Sequence, residues 1–169
     1  KSEEKQYWDG DIKWLTLVDL PPEDSVTIIT NSKRKITNLG LSKSSAKIIP
    51  PYSVIVSTRA TIGRVGINTI EVSTNQGFKS IVIDDSKYSP EFIAIQIHMN
   101  KKKIQKLATG GTFGEINKTN FGKIKLYIPP LNIQKRIVEV IKSEQKIVDS
   151  NKKLIEIYTQ NIQKKITKI

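Results

Sequence analysis

From residue 131 to 169 the apolar positions follow a seven-residue rhythm, with no Gly or Pro to break it. Ile141, Val148, Ile155, Ile162 and Ile169 form one series, and Ile133, Val140, Ile147 and Leu154 form a second beside it. Ile137 and Tyr158 belong to a third, interrupted by Glu144, Asn151 and Lys165. A straight helix drifts against a strict heptad, so this pattern predicts a helix supercoiled on another helix. At 1.5 Å per residue the segment is roughly 58 Å long, more than the preceding region is wide. A partner helix, from a second copy or another subunit, is the natural cover for its apolar stripe; a long helix folded back on its own domain is the alternative. Ile137, Val140, Ile141, Ile147, Val148, Leu154, Ile155, Tyr158 and Ile162 are the expected interface. The polar interruptions would set register in an antiparallel or mixed pairing.

Residues 1–130 show short-range patterns instead. Residues 25–30 (SVTIIT), 53–57 (SVIVS) and 80–83 (SIVI) read as β-branched strands. Residues 62–67 hold two Gly and predict a strand pair with a tight turn, or one bulged strand. Residues 125–128 predict a last strand before Pro129-Pro130. Asp9-Gly10 predicts a turn amid Tyr7, Trp8 and Trp14, and Gly40 a break in the polar stretch 31–47. Ser89-Pro90-Glu91 is a helix start, with an N-cap Ser, Pro at the first position and an acid in the first turn. Apolar spacing then carries that helix to about Leu107. The expectation is an α+β protein: a compact mixed α/β domain over 1–130, and one long coiled-coil helix over 131–169.

Charge sharpens this picture. The formal net charge of the 169 residues is +12. Lys/Ile/Asn enrichment alone could reflect base composition of the coding DNA, but the charge is unevenly spread. Residues 1–30 carry three Lys against seven acids, whereas residues 31–79 carry eight basic residues against the single acid Glu71. Three of the four Arg also lie in 31–79. A surface facing a polyanion, most simply nucleic acid, explains the asymmetry; a merely solvated basic face is the bland alternative.

Catalytic chemistry is sparse. There is no Cys and one His, His98, set mid-helix among Ile97 and Met99. Thiolate sites, His clusters and a His-based triad are thereby excluded or left little room. Ile49-Pro50-Pro51-Tyr52 resembles an amino-methyltransferase motif but has Ile where Asn or Asp must hold the target amine. Asp85-Ser86-Lys87 with Glu71 loosely resembles a metal-dependent nuclease core, although acids are common in such turns. Thr109-Gly110-Gly111-Thr112 offers backbone amides to a phosphate, or simply a helix cap and turn. No apolar run approaches ~20 residues, and the start is unlike a signal peptide, so a cytoplasmic protein without membrane contact is expected.

Several stretches together resemble a known family. They are Tyr7-Trp8-Asp9-Gly10-Asp11-Ile12-Lys13-Trp14, the loop at residues 57–66, Ser73-Thr74-Asn75-Gln76-Gly77-Phe78, residues 109–116, and Pro129-Pro130-Leu131 followed by Gln134-Lys135-Arg136-Ile137-Val138. In this order they are similar to one half of the DNA-specificity subunit of type I restriction–modification enzymes, a target-recognition domain with its spacer helix. The resemblance implies a non-catalytic subunit that binds double-stranded DNA and docks methyltransferase subunits and a restriction subunit. S-adenosylmethionine, Mg and ATP would belong to those partners, leaving no cofactor on this chain. Paired spacer helices would hold two recognition domains apart, so a homodimer, or this chain with a second specificity half, would read a gapped two-part target. Arg59 and Arg64, on Gly-flanked loops, are candidates for guanine, Arg64 alternatively being a strand-surface residue, and Asn75 and Gln76 are candidates for adenine or for turn capping. Lys33, Arg34, Lys35, Lys43, Lys79 and Lys118 would face phosphates. Thr112, in the Gly-rich loop, completes the expected DNA-binding set. A coiled-coil scaffold with incidental charge and a nuclease are the alternatives.

Overall fold

A computed structural model of the chain describes residues 4–20, 25–109 and 114–167. In chain order the strands are β1 (Trp8–Leu15), β2 (Thr27–Ile29), β3 (Arg34–Ile36), β4 (Val54–Ser57), β5 (Val65–Asn68), β6 (Ser73–Thr74) and β7 (Phe78–Ile81). The helix α1 (Asn38–Ser42) follows β3, and α2 (Pro90–Met99), α3 (Lys101–Gln105), α4 (Lys118–Phe121) and α5 (Leu131–Ile166) follow β7. Two sheets result, ordered β3-β1-β6 and β2-β5-β4-β7. The architecture is α+β, with one long C-terminal helix.

The run VIVS of β4 is buried at all four positions because the larger sheet is covered on both faces. Val54 and Val56 join Val65 and Ile67 beneath Phe92, Ile93 and Ile97 of α2. Ile55 points the other way, into a second cluster with Leu15, Ile29, Val72 and Phe78. That second cluster packs residues of both sheets together.

Several expectations need correction. Trp8 to Leu15 form one strand, not a turn flanked by scattered aromatics. Asp9 has φ 59°, and Trp8 and Ile12 both pair with Ile36, so the Asp9-Gly10 irregularity is a distortion inside β1. A Cβ on Gly10 would stand 2.6 Å from the Ile36 carbonyl oxygen, so the β1–β3 approach there requires glycine. Gly40 is no break either: it lies buried within α1, whose cap Thr37 accepts a hydrogen bond from the Gly40 N–H at 3.0 Å. It is Gly because a Cβ would meet the Tyr7 carbonyl oxygen. Gly40→Ala should therefore lower stability by about 1–3 kcal/mol through overpacking against backbone; urea unfolding with no change in midpoint would contradict this.

Residues 62–67 supply a single strand, β5, entered from a turn. Ala60 (φ 56°) and Gly63 (φ 90°) make that turn. Residues 125–128 are not a strand: Ile124 and Leu126 pack against the α2 cluster, and the segment joins neither described sheet. The helix after Ser89 ends at Asn100, whose side-chain amide donates to the Gln96 carbonyl at 2.8 Å, and α3 restarts beyond it. Its start is as expected, with the Ser89 hydroxyl accepting from the Phe92 N–H at 3.3 Å.

The base of α5 is bolted to this body. Gln134 is 1% exposed and makes three hydrogen bonds. Its Oε1 accepts from the Ser89 N–H at 2.9 Å, and its Nε2 donates to the Lys87 and Pro129 carbonyls at 3.1 and 2.8 Å. Val138, one turn on, is buried in the α2 cluster. Lys142 reaches Glu91 at 3.3 Å. Burial raises the Glu91 carboxyl, but its own N–H, the Ser89 hydroxyl and Lys142 together hold it below the ordinary glutamate value. From Lys142 to Thr167 every residue is exposed.

Candidate nucleic-acid interface

Two adjoining depressions share Asn75 and Gln76, at the turn between β6 and β7. The larger is a groove of about 840 Å3 walled by Trp8, Trp14, Lys43, Lys47, Asn75 and Gln76, among others. No acidic residue lines it among the described residues. The smaller, about 160 Å3, is formed by Arg59, Leu17 and the 75–78 turn.

Sheet pairing builds the aromatic wall. Trp14 is the cross-strand partner of Arg34. The Arg34 guanidinium lies 3.8 Å above the Trp8 ring, and Trp14 meets Trp8 edge-on at 6.1 Å between centroids. This stacking holds the cation in place, a cation–π contact that Lys makes less well. Strand alternation turns Lys35, paired with Lys13, away from the face carrying Arg34 and Ile36.

Around the smaller pocket, backbone bonds fix three loops together. The Thr58 N–H donates to the Gly77 carbonyl at 2.7 Å, and the Ile116 N–H to the Thr58 carbonyl at 3.0 Å. Thr109 and Glu115 exchange two backbone hydrogen bonds, each 3.0 Å. The Asn75 side-chain oxygen accepts from the Gly77 N–H at 2.8 Å, closing its own turn. Arg59, next to Thr58, forms an ion pair with Glu115, Nη2 to Oε2 2.7 Å. Hydrogen bonding from Arg59, opposed by partial desolvation and aided by the charges of Arg59 and Lys79, holds the Glu115 carboxyl below its ordinary 4.5. The carboxylate is therefore ionised at neutral pH.

Arg64, expected at a guanine, instead faces inward. Its Nη1 donates to the Leu17 and Leu20 carbonyls at 3.3 and 2.8 Å. Asp19, in the same turn, accepts from the Lys33 N–H at 2.8 Å. Arg64 thus braces the turn that carries Leu17 and, through Asp19, the entry to β3. Of the remaining expected contacts, Lys43 lines the groove, Lys79 lies on β7 with its charge felt at Glu115, and Lys33 is exposed beside β3. Lys118 sits on α4, outside both depressions. Thr112 lies outside the described residues. Trp8, Trp14, Lys47 and Glu115 are site residues beyond the expected set; Trp8, Trp14 and Glu115 stand in the family-like runs 7–14 and 109–116.

Two side chains of the nuclease-like stretch, Ser86 and Lys87, are engaged by the neighbouring Asp84. Asp84 accepts from the Ser86 hydroxyl and pairs with Lys87 at 3.1 Å. The Pro50 carbonyl in the Pro-Pro-Tyr stretch accepts from Ser53 and Asn68, both at 2.8 Å. Among the described residues, no helix is long and apolar enough to cross a membrane.

A two-sheet body with a long protruding helix is a known arrangement. The crystal structure of the HsdS subunit from Thermoanaerobacter tengcongensis superposes with a TM-score of 0.63 at 18% identity, covering 83% of this chain and 31% of that one. A structure reported under "complex assembly and conformational transition of the type I R-M system" gives 0.64 at 19% identity, covering 84% and 33%. Residues 1–159 match the family model for the type I restriction modification DNA specificity domain, and the chain belongs to that family. It is 28% identical over 154 residues to the type I restriction enzyme MjaIX specificity subunit of Methanocaldococcus jannaschii, covering 90% of this chain and 35% of that protein. Against the HindI specificity subunit of Haemophilus influenzae it is 29% identical over 160 residues, covering 90% and 34%. The chain spans about a third of the length of these relatives.

Proposed function

We propose that this chain is a non-catalytic DNA reader that places a separate methyltransferase, and a restriction subunit with it, on a chosen sequence in the cytoplasm. The observation that carries the reading is the convergence of Arg59, Asn75 and Gln76 with the groove of Lys43 and Lys47, lined by no acid among the described residues. Phosphate contacts from Lys33, Arg34, Lys43, Lys47 and Lys79 position the domain, and Arg59, Asn75 and Gln76 meet base edges. Arg64 acts from behind, as a positioning residue. Residues 1–130 serve as the reader and 131–169 as the spacer. The methyl donor, Mg and ATP are handled by the partners.

The exposed α5 stripe pairs with a second copy or a second specificity half. Side-by-side parallel pairing would set Glu144 on Glu144 and Lys165 on Lys165. Antiparallel pairing brings opposite charges toward one another and puts the readers at opposite ends of the spar. A two-fold homodimer would then read a palindromic, gapped site.

Two measurements test this. Deleting the gene and sequencing the methylome should remove one methylated motif; an unchanged methylome would overturn the proposal. In duplex titrations, the cognate site should be preferred over random duplex by at least ~10³, with affinity falling steeply with salt. Weak binding that vanishes uniformly with salt would instead indicate a helical scaffold with incidental charge.

A further inference from the structure

We propose that Arg59 and Glu115 act as one unit that reads a single G·C base pair, Arg59 on the guanine and Glu115 on the cytosine. The inference rests on the DNA-reading function above and adds to it a residue, Glu115, and a base pair. In the major groove a G·C pair presents two acceptors, guanine N7 and O6, followed by the cytosine N4 amino donor. A guanidinium has five N–H donors in a fixed fork, and an ionised carboxylate only accepts. With Nη2 of Arg59 given to Oε2 of Glu115, the other guanidinium donors remain for N7 and O6. The second oxygen, Oε1, is then the acceptor for cytosine N4. The pair therefore shows donors beside an acceptor, the complement of that base pair's edge.

The geometry is set in advance. Glu115 is held on one side by its reciprocal bonds with Thr109, and on the other by Ile116, which is fully buried and bonded to Thr58. Arg59 follows that same Thr58. Both side chains still reach solvent, with exposures of 52% and 33%. Arg59 also lines the small pocket beside Asn75 and Gln76, so the unit lies next to the other base-reading groups. The arrangement also rejects wrong pairs. An A·T pair sets the adenine amino donor against the guanidinium and the thymine O4 acceptor against the carboxylate; a reversed C·G pair sets donor on donor.

The test is selection of duplexes from a randomised library by the purified full chain and by two variants, Glu115→Gln and Arg59→Ala. Glutamine is isosteric with the half-buried Glu115, so the thermal melt of that variant should stay close to that of the parent. The parent motif is expected to contain a G·C position preferred roughly 10- to 100-fold. Both variants should relax that one position and leave the others as they were. If Glu115→Gln leaves the motif intact, the inference falls. It falls equally if that variant raises affinity for all duplexes alike, which would make Glu115 a shield of Arg59 charge, or if the two variants relax different positions. A parent chain that enriches no motif overturns the DNA-reading function itself, a result distinct from these.

Discussion

Val148→Glu combined with Ile155→Glu is expected to turn a self-paired chain into a monomer of 19.1 kDa. The α5 residues Val140, Ile147, Val148, Leu154, Ile155, Tyr158 and Ile162 are each 45–67% exposed, and from Lys142 to Thr167 every residue of the helix and its cap is exposed. Over its 36 residues the helix is roughly 54 Å long. Each such side chain gains about 1.5–3 kcal/mol on full burial, and in a two-fold pair each contributes twice. The gross gain exceeds the cost of association, which is about 4–15 kcal/mol. Two glutamates per helix place four carboxylates in the seam, where each loses hydration without a partner. The dissociation constant should rise at least ~10⁴-fold. Light scattering at micromolar concentration distinguishes the outcomes. A parent chain that is already a monomer with a helical tail, or a doubly substituted chain that still pairs, would defeat the pairing model. The monomer should also keep half-site contacts while losing the gapped site, because only the spar joins the two readers.

The sequence and the structure agree most where one periodicity dominates. The heptads of α5, the Ser89-Pro90-Glu91 start of α2 and the β-branched run of β4 are local patterns, and each produced the expected element. Disagreement arises where a distant segment decides. β1 exists because β3, about 20 residues on, pairs with it, and no short-range rule sees that through the Asp9 and Gly10 distortion. Residues 125–128 have strand-like residues but join neither described sheet and instead pack on the α2 cluster. The site divides in the same way. Asn75 and Gln76 stood in a run marked by its resemblance, and they do line the depressions. Arg64 looked like a base reader because an Arg between glycines reads as exposed. Its hydrogen-bond partners lie 44 and 47 residues earlier. Glu115 stands in the family-like run 109–116, but a carboxylate in a basic protein signals no role until the fold sets it 2.7 Å from Arg59.

Gln134→Ala should lower stability by about 3–4 kcal/mol, among the largest effects of any single substitution in the chain. For a protein of this size that is a fall in melting temperature of roughly 10 °C, compared at equal protein concentration. The substitution removes three hydrogen bonds at a side chain only 1% exposed, leaving the Ser89 N–H and the Lys87 and Pro129 carbonyls without that partner. Those three groups belong to the lead-in to α2 and the lead-in to α5, so the loss also frees the angle at which the spar leaves the reader. Gln134→Glu separates hydrogen-bond chemistry from packing. A carboxylate still accepts from the Ser89 N–H but cannot donate, and it faces two carbonyl oxygens. Its folded-state pKa would be raised, so the neutral form is the better tolerated one. The sign follows: stability of this variant should recover as pH falls through that raised value, whereas Gln134→Ala, with nothing to titrate there, should show no such recovery relative to the parent. Melts of the three proteins across acid to neutral pH measure this directly, and a Gln134→Glu variant as stable as the parent at neutral pH would show that the amide is not what fastens the helix to the domain.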